Sequence, residues 1–107
     1  MRAKVYFTRW ITPEKVLELY NRMMWDLGKS LYGQVAVKVH SGERGNQNFI
    51  GPQFWQPLID HVNGTVVECN TAYGGPRSNT AEHWETIHRH GWSRYFPVDI
   101  MGVEWPD

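Results

Sequence analysis

The chain has 107 residues, with Lys plus Arg and Asp plus Glu at 11 each, so its formal net charge is zero with histidines neutral. That length suits one domain over residues 1–107, and the even charge removes any electrostatic case for nucleic acid or an anionic membrane. No apolar run approaches the ~20 residues of a membrane helix, no signal-peptide core opens the chain, and Cys69 is the lone cysteine, so cytoplasm is the expected compartment.

In chain order, Lys4–Phe7 (KVYF) reads as a short strand with Val5 and Phe7 on one face. Thr12 is placed to cap a helix, with Pro13 at its first position and Glu14 in its first turn. Val16, Leu19, Tyr20, Met23 and Leu27 follow at helical spacing, and Gly28 stands where a terminating glycine belongs. Val35–His40 alternates as a second strand and breaks into a polar loop with glycines at 42 and 45. Gly51-Pro52 opens a second helix, striped by Phe54, Leu58 and Val62, in which Pro57 predicts a kink or a later start. Thr65–Cys69 is a third strand and Asn70–Asn79 a second polar loop. Asn79 with Glu82 forms a capping-box pattern ahead of a third helix that runs toward Gly91. Pro97–Met101 is a fourth short strand. The order βαβαβαβ implies an α/β fold in three layers with a short, mostly parallel sheet.

Ligands of open α/β sheets gather outside the carboxyl ends of the strands, where both polar loops would emerge. Each loop offers glycines, an arginine and asparagines: Gly42, Arg44, Gly45 and Asn46 in one, Asn70, Gly74, Gly75, Arg77 and Asn79 in the other. Arginine forks suit carboxylate or phosphate, so a small anion held between Arg44 and Arg77 is one reading. The other is that these arginines pair with Glu43, Glu68 or Glu82 and order the loops. His40 and Tyr73 are the candidates for acid–base chemistry, and Cys69 for a nucleophile if a base or cation activates it. Lys38 alternates away from the valine face and requires a partner such as Glu68 if buried. No dinucleotide or Walker pattern is present. His83 and His88 stand about 140° apart in helical projection, which speaks against a shared metal. Aromatic residues make up 14% of the chain, so they either enlarge a small core or line an interface or pocket.

The runs VAVKVHSGERGNQNFIGPQFWQPLID and CNTAYGGPRSNTAEHWETIHRHGW, with the KVYFT opening, resemble the domain of unknown function 362 family, whose members are described as iron–sulfur centre proteins. The resemblance spans essentially the whole chain and implies the N-terminal portion of such a protein. Longer relatives continue into ferredoxin-like cysteine runs for [4Fe–4S] clusters; one cysteine cannot hold them, so no cofactor is expected in this chain and the clusters would lie in a partner. This chain departs from the family pattern at Glu68-Cys69-Asn70-Thr71, where an aspartate is usual, and at Pro97–Gly102 (PVDIMG), where a more apolar strand is usual. An N-terminal portion alone leaves an edge or a helix face uncovered, so the expectation is a homo-oligomer or a missing ferredoxin-like partner. The function expected is a small-anion-binding module of an iron–sulfur-associated redox protein; the alternative is a non-catalytic interaction or oligomerisation domain.

Overall fold

The structure, a computed structural model, describes residues 2–101. Its elements are α1 (Pro13–Leu27), β1 (Val35–Lys38), α2 (Pro52–His61), β2 (Gly64–Cys69), α3 (Thr80–Arg89), α4 (Trp92–Tyr95) and β3 (Val98–Met101). The three strands form one sheet in the order β1-β2-β3, parallel throughout, with Val66 opposite both Val37 and Val98. The protein is therefore mixed α/β.

Local chemistry explains most element ends. The Thr12 hydroxyl accepts from the Lys15 amide at 3.1 Å, and Gly28 closes α1 in the left-handed region with its amide turned back to Met24 and Trp25. The Asn79 side chain caps α3 by accepting from the Glu82 amide at 2.9 Å. Its amide nitrogen in turn donates to the Glu82 carboxylate. Two details differ from the sequence reading. α2 begins at Pro52 and continues through Pro57 to His61 as one helix. Beyond Gly91, the short α4 occupies a stretch to which no element was assigned.

A larger difference concerns the sheet. Lys4–Phe7 pairs with no strand, so the sheet has three strands among the described residues rather than four. Alternation alone cannot make a strand: a strand also needs a partner for its amides and carbonyls, and this segment lies against α1 instead. The layering differs as well. Ile59 of α2, Val66 of β2, Ile87 of α3, and Trp92 and Phe96 form one core, which puts the helices together on one face of the sheet. On the opposite face Ala36, Cys69, Asp99 and Met101 are exposed, around a buried Val67. The described residues thus build two layers, where parallel sheets are commonly covered on both faces.

Helix α1 packs on α2 and has no buried residue. The described chain extends 45 × 27 × 25 Å, with a radius of gyration of 15.7 Å, against about 13 Å expected for a compact chain of this length. The N-terminal third projects from the body.

Candidate functional site

The strand β2 delivers an acidic side chain into the core. Glu68 shares the parity of Val66, so it points to the helix side, and it is 1% exposed. A buried carboxylate is tolerable only with donors around it. Here the Lys38 ammonium donates to Oε1 at 2.6 Å, and the Cys69 amide donates to the same oxygen at 3.2 Å. On the other oxygen, Oε2, Arg77 Nη2 donates at 2.6 Å, the Ser41 hydroxyl at 2.9 Å and the Ser41 amide at 3.2 Å. Burial alone would raise the Glu68 pKa, but the polar groups around it, the His83 ring, Lys38 and Ser41, outweigh burial and hold it well below the usual carboxylate range.

Arg77 ties that carboxylate to the first loop. It is 5% exposed, and its second terminal nitrogen donates to Glu43 Oε1 at 2.7 Å. Burial would lower its pKa, but the hydrogen bond to Glu43 and the field of Glu68 raise it, so the guanidinium stays charged. The Tyr73 hydroxyl donates to the same Glu43 oxygen at 2.8 Å. That bond and Arg77 keep the Glu43 carboxyl below its ordinary value, against the effect of partial burial, and the same bond raises the Tyr73 phenol. Behind Arg77, the Asn70 amide donates to the Thr80 hydroxyl at 3.0 Å, which leaves its oxygen to accept from His83 Nδ1 at 3.0 Å. His83 Nε2 lies 3.5 Å from Arg77 Nε and 3.8 Å from Glu68 Oε2, so the ring sits between the two ions. No buried side-chain nitrogen or oxygen among the described residues lacks a hydrogen-bond partner.

The first loop is held by a close packing contact. Gly42 has φ 98°, and a Cβ built there would lie 2.6 Å from the Phe49 ring and 2.8 Å from His90 Nδ1, so only glycine fits. Phe49 stacks on His90 at 4.2 Å between ring centroids, and the Ser41 carbonyl accepts from the Trp92 indole at 3.0 Å, with His90 Nδ1 at 2.9 Å from the same oxygen. The Gly42 amide donates to His40 Nδ1 at 3.2 Å, which leaves the proton of that exposed ring on Nε2.

Beside this network runs a cleft of about 420 Å³. Val37, Val39, Phe49, Ile50, Trp55 and Leu58 make it apolar, and Lys38, His40, Asn46 and Asn48 form its polar groups. The size and the mixture of an apolar floor with a few polar groups suit a small organic ligand. Lys38 is half-exposed and uses two of its three donors, on Glu68 and on the Val39 carbonyl at 2.9 Å. The Asn46 side-chain oxygen accepts from the Asn48 amide at 2.8 Å.

The residues singled out from the sequence are therefore divided. Gly42, Asn70, Tyr73 and Arg77 gather in or against the Glu68 network, while His40 and Asn46 reach the cleft. Arg44 turns to Glu85 of α3 at 3.8 Å, and Asn79 is the α3 cap. Gly45, Gly74 and Gly75 are exposed, with the Gly75 carbonyl accepting from Ser78. The two arginines meet different carboxylates, Arg44 that of Glu85 and Arg77 those of Glu43 and Glu68. Glu68 as the hub, with Ser41 and Trp55, was not singled out as site chemistry, and His83 was weighed only as a metal ligand. One signal was legible: an acid two residues after Val66 has the parity of the core. The histidines are dispersed: His88 meets Ser93, His90 meets Ser41, and His83 meets Asn70. Among the described residues no three His, Cys, Asp or Glu side chains come together as a metal set, and Cys69 is free and exposed. No helix among the described residues is long and apolar enough to cross a membrane.

Comparison of the chain with protein-family models, with curated protein sequences and with solved structures gives no match.

Proposed function

We propose that this chain is a ligand-binding α/β domain that takes a small organic anion, with its charged head at the carboxyl end of β1 and its body in the adjoining cleft. The observation that carries the reading is the cleft itself, whose apolar floor ends at Lys38, His40, Asn46 and Asn48. The third ammonium hydrogen of Lys38, the Nε2–H of His40 and the amides of Asn46 and Asn48 are the donors for a carboxylate or phosphate. Arg77 has a different part: buried between Glu43 and Glu68, it locks the two loops and so sets the rim. Arg44 serves as an outer positive charge on this reading. A buried, fully partnered ion network is an expensive way to order two loops, and such networks concentrate at functional sites.

The wider role is that of a module acting beside an iron–sulfur chain in the cytoplasm. Its support is the resemblance of the two long segments, together with a lone cysteine that leaves any cluster to a partner.

Titration with aromatic and aliphatic carboxylates and phosphate monoesters, followed by Trp55 fluorescence and thermal unfolding, tests the binding reading. A ligand at 100 times its Kd stabilises the fold by about 2.7 kcal/mol, a shift of several degrees. The shift should vanish in His40→Ala/Asn48→Ala with the unliganded melting temperature kept. A flat response across the whole panel from a cooperatively folding protein would overturn the reading.

A further inference from the structure

Lys4–Phe7 has the pattern of a strand and the wrong surroundings for one. Its polar side chains turn to the end of α1, where the Tyr6 hydroxyl donates to Asp26 at 2.7 Å and Lys4 stands 3.9 Å from the same carboxylate. Its apolar side chains turn away: Val5 is 86% exposed and Phe7 79%, followed by Trp10 and Ile11 at 75% and 72%. Trp25, Leu27, Leu31 and Tyr32, at the end of α1 and in the link to β1, are exposed as well. Monomers seldom expose an apolar patch beyond about 600 Å².

The sheet has a matching vacancy. The Val39 amide donates to the Val67 carbonyl, so Val35, Val37 and Val39 turn their backbone toward β2. By alternation, Ala36 and Lys38 present their amides and carbonyls along the free edge of β1. The segment runs alongside α1 with Lys4 near Asp26 at the far end of that helix, which is the arrangement of a strand followed by its crossover helix. α1 packs on α2, so a strand added at the β1 edge would be the next strand of a sheet whose helices share one face.

We propose that this edge is occupied by the N-terminal strand of a second copy of the chain, in a reciprocal two-fold exchange. Two observations favour a second copy over the chain's own segment. None of residues 2–40 is buried, and the segment leaves Val5, Phe7, Trp10 and Ile11 exposed instead of packing them on its own sheet. The area is also sufficient. Phe7 and Trp10 bring roughly 300–500 Å² per arm at about 150–250 Å² per aromatic side chain, and Val5 and Ile11 add to it. Two arms and the surfaces that receive them total roughly 2,000 Å², the scale of stable interfaces. An exchange of identical elements is a closed, isologous contact, so it stops at a dimer. The cleft lies under the β1 edge, and the exchanged strand would become its outer wall. The proposal stands apart from the ligand reading, since pairing at the edge needs no ligand.

Sedimentation over low-micromolar to submillimolar concentrations, without added ligand, is the test. The expected result is a species of twice 12.5 kDa that reverts to 12.5 kDa in Phe7→Asp and in Ala36→Pro. Proline at position 36 blocks the outward amide and leaves the β1–β2 ladder intact, and near-ultraviolet dichroism checks that each variant keeps its core. A monomer throughout for the unmodified chain overturns the proposal without recourse to any variant. A dimer that persists in both folded variants overturns it too, since the contact would then lie elsewhere. Loss in Phe7→Asp alone excludes edge pairing.

Discussion

The body of the protein and its N-terminal third obey the same local rules and end in opposite states. Helices α1 and α3 both have side-chain caps, at Thr12 and Asn79. Yet α3 buries His83, Thr86 and Ile87, whereas α1 buries nothing. The difference teaches that capping and amphipathicity specify a helix but not its neighbour. α3 has the sheet beneath it; α1 packs on α2 and on the Lys4–Tyr6 segment, whose apolar side chains meet solvent. Helical stability in proteins comes mainly from such packing. The two regions should therefore respond very differently to perturbation.

The largest effect is expected where charge is buried. Arg77→Ala leaves Glu68 short of a donor in the core and should destabilise the fold by about 3–5 kcal/mol in urea unfolding. A change below about 1 kcal/mol would mean that the two loops are not held by this pair.

Acid sharpens the same point. The Glu68 pKa is lowered on folding, so the unfolded chain binds more protons and the stabilisation is full above the unfolded value of about 4.3. It is lost as pH falls from there toward the folded value. Melting temperatures measured between neutrality and strong acid should drop in that window, and the slope should flatten in Glu68→Gln.

Gly42→Ala should cost about 1–3 kcal/mol through its positive φ, with a further loss from the collision with Phe49 and His90. The expected signature in the body is a broadened Trp92 environment in near-ultraviolet dichroism as well as a lower melting temperature. Full retention of both would mean that the loop can shift to make room.

Smallest are the effects in the projecting third. Val16→Ala on α1 should change global stability by about 1 kcal/mol or less, against about 2–5 for Ile87→Ala on α3. Amide hydrogen exchange gives the same contrast without mutation: α1 should exchange well before β2 in dilute protein. Equal protection of both elements at that dilution would remove the distinction between the regions.

Much of the fold was legible because its signals are local. Thr12, Gly28 and Asn79 act within a few residues of their own positions, and the valines of β1 alternate as half-buried strands do. Pro57 left open a kink or a later start, and α2 begins at Pro52 and runs through it to His61, so the start is not delayed. α4 was missed because four residues after Gly91 are too few for any periodicity to show. In the site, Arg77 was legible as a cation at the strand ends, and the pairing with Glu43 and Glu68 was one of two readings left open. What distinguishes those readings is burial, which depends on the whole body closing over the second loop.

By itself the sequence determined an α/β chain with capped helices, parallel strands and two polar loops at one end of the sheet, because each of these follows from neighbours along the chain. Only the tertiary structure decided that Glu68 is the hub, that Arg44 and Arg77 part company, and that Lys4–Phe7 stands outside the sheet. The physical reason is common to all three. Whether a carboxylate is satisfied, a guanidinium free, or a strand paired depends on which distant groups lie within about 3 Å, and sequence spacing does not encode that distance.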